Sequence, residues 1–217
     1  MNKLMLFFFL AIPTYIVSDL KTDLDKQLNP LMDKVIEWRH DIHQYPELSN
    51  REFRTAKKVE DHLLSLGIEI ENKIAYTGVV GFIRGSLPGP TIALRADMDA
   101  LPVIEKTGLP FASIETTEYL GQDVGIMHAC GHDAHVAILM GVAEFLSKNK
   151  DKLKGNVMLI FQPAEEGPPE GENGGAKMML EEGIFDRYKP EAIFGLHVGN
   201  GPHGYIGVAS GPAMAAA

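Results

Sequence analysis

Three histidines and the only cysteine of the 217-residue chain fall inside one eight-residue window, His128-Ala129-Cys130-Gly131-His132-Asp133-Ala134-His135. Thiolate, imidazole and carboxylate are the donor set of zinc and related divalent ions. In an extended loop Cys130 and His132, two residues apart, can be aimed at one face. Groups of the same kind recur at three other places: Asp97 and Asp99 in Arg95-Ala96-Asp97-Met98-Asp99, the pair Glu165-Glu166, and His197. Adjacent glutamates suit divided labour, one ligating a cation while its neighbour stays free as a general base to water. Like charge and a nearby cation would drive their pKa values apart. Asp99 suits the task of accepting a hydrogen bond and fixing the orientation of a metal ligand. Taken singly, each position has a plainer explanation: an Asp after a strand usually closes a turn, Asp133 could cap the helix that follows it, and a lone His is more often simply hydrogen-bonded. Their concentration around strand ends is what argues for a site.

The elements that must position these groups can be read from periodicity and turn signals. Apolar residues at three- and four-residue spacing predict a helix over 24–45. Ser49-Asn50-Arg51-Glu52 reads as a capping box opening a second helix that runs through Leu66 and stops at Gly67. Short β-rich runs at 68–74, 79–83 and 91–94 are separated by Gly and Pro turns. A polar loop follows over 102–125, then a helix from about 133 to 147, a strand at 156–161, a helix at 175–182 and a strand at 192–196. This alternation predicts an α/β domain, a mixed and largely parallel sheet flanked by helices. In such sheets ligands gather at the carboxyl ends of strands, where all the candidate groups lie.

Composition narrows the function. A net charge of -9 with no basic run excludes a nucleic-acid partner. Apolar content of 45% and charged content of 23% are those of a globular chain, and a single cysteine cannot form an internal disulfide. Lys3, the apolar run over 4–17 and Ser18 predict an export signal at residues 1–18, and hence an exported protein. The run is too short for a stable membrane span, which needs about 20 apolar residues. No HExxH, GxSxG, Walker or PCxxC pattern occurs.

The strings RADMDALP (95–102), MHACGHDAH (127–135), FQPAEEG (161–167) and GLHV (195–198), in that order, resemble the hippurate hydrolase and indole-acetyl-amino-acid hydrolase branch of the aminoacylase/carboxypeptidase metallopeptidase superfamily. The segment Arg39-His40-Asp41-Ile42-His43-Gln44-Tyr45-Pro46-Glu47-Leu48 resembles the same branch, so the likeness covers the chain from Val35 onward. It implies a zinc-peptidase-like catalytic domain over 19–217 with two divalent ions, zinc first and manganese, cobalt or nickel as alternatives. It implies Cys130, His132, Glu166 and His197 as metal-binding positions, Glu165 as the general base and Asp99 as the orienting acid. His128, Asp133, His135 and Asp97 lie within the motifs and are expected to support ligands or cap the helix. The implied reaction is hydrolysis, by a metal-activated water, of the amide bond in N-acyl amino acids or short peptides. A dipeptidase or carboxypeptidase of the same superfamily is the second reading, and an inactive metal-binding fragment the third. Members of this branch are longer, with an inserted lid domain and a last His ligand beyond it. The chain is therefore expected to be an N-terminal portion without its lid, with His203 unsuited to replace that ligand, and any homo-oligomer would belong to the longer protein.

Overall fold

Apolar residues repeating on one side of a long segment form helix α1 (Thr14–Gln44), which buries Leu31 and Ile42 and leaves Leu28, Met32 and Ile36 exposed. The computed structural model describes residues 14–199, 201–202 and 204–208. Most of the export signal expected over 1–18 therefore lies outside the described residues. Among the described residues no helix is long and apolar enough to cross a membrane.

Helix α2 (Phe53–Ser65) begins later than the expected cap at Ser49, with Glu52 at the N-cap position and no capping box closing it. Ser49 Oγ instead donates to Asp99 Oδ2 at 2.7 Å. The Glu52 side chain is fully buried and accepts from Thr77 Oγ1 at 2.6 Å and from the Ala164 N–H at 2.8 Å. The first turn is satisfied by the Glu47 carboxylate, which accepts from the N–H groups of Arg54 (2.9 Å) and Thr55 (2.8 Å). Tertiary partners thus win over the local cap that the same four letters would specify.

Burial pushes the Glu52 carboxyl up to about 7, against hydrogen bonds from Thr77, Ala164 and its own backbone that favour the charged form. A carboxyl raised in the folded state contributes stability that is complete below its unfolded value of 4.5 and is lost as pH rises through about 7. Glu52→Gln is therefore expected to gain on the parent by about 2 kcal/mol between pH 5 and pH 8. Urea denaturation of the metal-free protein at the two pH values measures this; a pH-independent difference would show that Glu52 stays charged.

The remaining elements are β1 (Glu69–Ile74), β2 (Gly78–Arg84), β3 (Leu87–Asp97), β4 (Thr116–Tyr119), β5 (Gln122–Gly125), α3 (His132–Lys148), β6 (Lys154–Gln162), α4 (Gly175–Glu181), α5 (Ile184–Tyr188) and β7 (Ala192–Gly195). The main sheet has the order β1-β2-β6-β3-β7. β3 runs parallel to both β6 and β7, whereas β2 is antiparallel to β1 and β6. The sheet is mixed, and its parallel part holds the strands that carry the candidate groups. β6 is buried from Val157 through Gln162, as befits a central strand covered on both faces. One face packs Leu159 and Phe161 against Ile42, Val59, Leu63, Val136 and Met140 of the helices α1, α2 and α3. The other packs Met158 and Ile160 against Met179 and Ile184 of α4 and α5. A Cβ on Gly141 would stand 2.7 Å from Val35 Cγ2, so α1 and α3 cross where one of them has no side chain. β7 is exposed along its length, with Phe194 59% accessible.

Two features depart from the expected elements. The loop expected over 102–125 contains the hairpin β4–β5, turned by Leu120 (φ 52) and Gly121 (φ 75). Positive φ at both central residues is the type I′ geometry, but leucine rarely adopts it, which hid the signal. β3 continues past Leu94 to Asp97, which pairs with Gln162, so Asp97 is a strand residue rather than part of the exit loop.

Candidate metal centre

Because β3, β6 and β7 are parallel neighbours, the segments leaving them emerge at one edge of the sheet. Asp99 follows β3, Glu165 and Glu166 follow β6, and His197 follows β7. The loop before α3 meets them there. Gly131 precedes the helix at φ 87, a conformation that favours glycine, and a Cβ on it would fall 2.2 Å from Val198 Cγ2. Glycine is needed twice over at this point, and its absent side chain lets the Cys130–His132 loop touch the segment carrying His197.

His132 is the centre of the arrangement and is fully buried. Its Nδ1 lies 2.8 Å from the Asp99 backbone carbonyl, an acceptor only, so Nδ1 carries the proton and Nε2 presents a lone pair. That Nε2 has no hydrogen-bond partner among the described residues. It faces Asp97 Oδ1 at 3.6 Å, Glu165 Oε2 at 3.7 Å and Glu166 Oε1 at 3.8 Å. On another side Cys130 Sγ stands 3.5 Å from His197 Nε2. Donor atoms of Cys130, His132 and His197 all lie within 4.8 Å of one another, as do those of His132, Glu165 and Glu166, and those of Asp97, His132 and His135.

The electrostatics fit a bound cation. Burial pulls His132 down, but the hydrogen bond it donates to Asp99 and the charges of Asp97, Asp99 and Glu165 outweigh it and raise its pKa. Burial also raises the Cys130 thiol, and Glu166, Glu165 and Asp97 add to the effect, pushing it up to about 12. A lone pair, a thiol and three carboxylates converging in a protected space repel one another unless positive charge lies among them. The sulfur, nitrogen and oxygen donors are those of a divalent transition metal. The residues present therefore fit such an ion.

Asp99 is tied into this centre through three groups. Its carbonyl accepts from His132, and its Oδ2 accepts both from Ser49 and, at 2.9 Å, from the Glu166 N–H. The carboxylate thus steadies the glutamate turn, while the closest contact to His132 comes from the backbone. Asp97 and His135 form a second support. Asp97 accepts from Arg95 at 2.6 Å and from His135 Nδ1 at 2.6 Å; burial raises its pKa, but these partners and His132 hold it near about 2. The Val198 N–H donates to His135 Nε2 at 2.9 Å, which fixes the His135 tautomer and anchors the residue after His197. The signal for this pair was the spacing of His132 and His135, which places them on one face of α3.

Loss of an outer support of this kind typically costs ten- to a hundredfold in metal affinity. His135→Ala is accordingly expected to weaken zinc binding by about that factor, measured by competition with a chelator. Parent affinity in that variant would show that the Val198 anchor is dispensable.

Asp133 does not cap α3: Gly131 is the N-cap, and the buried Asp133 carboxylate accepts from Arg39 Nε and His43 Nδ1, both at 2.8 Å. His128 is buried without a hydrogen-bond partner among the described residues, and burial lowers its pKa to about 4, so it is neutral. His203 lies outside the described residues. Beside the centre a cleft of about 730 Å³ opens between Ser49, Leu101, Tyr119, Leu120 and Glu166.

The profile of the peptidase family M20/M25/M40 matches residues 93–211. Thermostable carboxypeptidase 1 of Saccharolobus solfataricus is 47% identical over 199 residues, which are 91% of this chain and 47% of that protein. N-acetyl-L-cysteine deacetylase of Bacillus subtilis is 46% identical over 192 residues, 87% of this chain and 42% of that protein. Among solved structures, the Bacillus subtilis YXEP protein, a dinuclear metal-binding peptidase of the M20 family, superposes with a TM-score of 0.67 at 43% identity. That match covers 78% of this chain and 44% of the other. The chain spans about half the length of the curated relatives it matches.

Proposed function

The chain belongs to the peptidase family M20/M25/M40, and from that premise we propose that the whole protein is a metal-dependent amidohydrolase that releases amino acids from their N-acyl derivatives. The observation that carries this reading is the unpartnered, buried Nε2 of His132 facing Asp97, Glu165 and Glu166, with Cys130 and His197 paired beside it. In this reading Cys130, His132, Glu166 and His197 hold two divalent ions, zinc being favoured by the thiolate and imidazole donors. When bound, such ions polarise the scissile carbonyl and lower the pKa of the attacking water. Glu165, partly exposed toward the site, takes the proton from that water and later delivers it to the leaving amine. Asp99 fixes His132 through its carbonyl and Glu166 through its carboxylate. The cleft beside Glu166 receives the substrate.

The deacetylase relative supports an N-acyl amino acid as substrate. A carboxypeptidase acting on short peptides is the second reading, favoured by the 47% identity to a protein of that name. Export directed by residues 1–18 is part of the proposal, and amino-terminal sequencing of the mature protein tests it. The test of function is metal analysis of the purified protein together with a hydrolysis screen on N-acetyl, N-benzoyl and indole-acetyl amino acids and on dipeptides. Two ions per chain and hydrolysis abolished by chelator are expected; chelator-resistant hydrolysis would contradict the proposal.

A further inference from the structure

We infer that Glu52 is a positioning residue, which grips the turn presenting Glu165 and Glu166 through the backbone of Ala164. This inference rests on the metal-centre reading given above. The turn after β6 reads Gln162-Pro163-Ala164-Glu165-Glu166-Gly167, and within it Ala164 sits at φ 48, in the left-handed region that L residues with a side chain seldom adopt. A conformation of that kind persists only where its surroundings over-determine it. Ala164 is 3% exposed, so water cannot satisfy its N–H. Glu52 Oε1 accepts that N–H at 2.8 Å, from the far side of the chain at the start of α2.

The other carboxyl oxygen of Glu52 is engaged by Thr77 Oγ1 at 2.6 Å, which fixes the plane of the group. Two residues further along the turn, Asp99 Oδ2 accepts the Glu166 N–H at 2.9 Å. Carboxylates from two different segments thus hold the backbone immediately before and immediately after Glu165. The side chain between these two points projects from a clamped backbone, as a catalytic group must if its reach is to be reproducible. A buried carboxyl used only to satisfy Thr77 would need no contact with this turn.

Zinc titration in competition with a chelator, alongside steady-state kinetics, separates positioning from simple stability. Glu52→Ala is expected to bind zinc about ten- to a hundredfold more weakly and to lose kcat with little change in KM. Glu52→Gln retains an acceptor for the Ala164 N–H and recovers most of both. Thr77→Val breaks only the other contact; it lowers Tm but keeps parent zinc affinity. Should Glu52→Ala fail to fold, Glu52→Asp serves in its place, because its shorter side chain withdraws the carboxyl group from Ala164 without removing it. Parent zinc affinity and kcat in Glu52→Ala or Glu52→Asp, or equal losses of affinity in Thr77→Val, would overturn the inference and leave the metal centre standing. A parent protein that binds no zinc would instead overturn the metal-centre reading itself.

Discussion

Glu165→Ala is expected to lower kcat by about 10²–10⁴-fold, the usual contribution of a general base, while metal content stays at the parent level. The expectation follows from the positions of the two adjacent glutamates. Glu165 Oε2 and Glu166 Oε1 lie 3.7 and 3.8 Å from the same imidazole nitrogen, so distance alone does not rank them. What differs is the anchoring. Glu166 has its own N–H fixed by the Asp99 carboxylate, as a ligand held in place would be. Among the described residues Glu165 has no comparable tether, which leaves its carboxylate available for proton transfer. Removing it should therefore cost chemistry and spare the ions. Atomic absorption and single-turnover kinetics on one preparation measure both quantities. Loss of metal in parallel with activity would reassign Glu165 as a ligand.

The second large effect is expected of His132→Ala, because His132 contributes a donor atom to each of the three ligand groups. Without it, Asp97, Glu165 and Glu166 face one another with no imidazole between them, and the Asp99 carbonyl loses its partner. Both ions should be lost, with zinc affinity falling more than the ten- to hundredfold typical of a supporting residue. The most direct readout is thermal. Zinc at a hundred times its Kd stabilises a binding protein by about 2.7 kcal/mol, so the parent Tm should rise on adding zinc while that of His132→Ala should not. A zinc-dependent rise preserved in the variant would place the ions elsewhere.

The sheet and the convergence of the site were legible for a common reason. Strands 91–97, 154–162 and 192–195 announce themselves as apolar runs, and parallel order brings their carboxyl ends together whatever the details. Cys130, His132, Glu165, Glu166 and His197 could be picked out because metal-donor residue types gather in the loop before α3 and directly after β6 and β7. What escaped were contacts set by distant parts of the chain. Ser49 and Glu52 have the letters of a local helix cap, and nothing nearby reveals that Asp99, Thr77 and Ala164 claim them instead. The same local logic allows Asp133 to cap the helix that follows, whereas its carboxylate belongs to Arg39 and His43. The hairpin β4–β5 was hidden by a leucine in a turn position that ordinarily selects glycine or asparagine.

The central claim, that one buried imidazole gathers a thiolate, a second imidazole and a pair of glutamates around shared cations, is tested most directly by anomalous diffraction at the zinc absorption edge on crystals of the zinc-loaded protein. Two anomalous peaks are predicted, bonded between them to Cys130, His132, Glu166 and His197, with Glu165 unligated. Peaks confined to other residues, or a Cys130 side chain turned away from every ion, would contradict it.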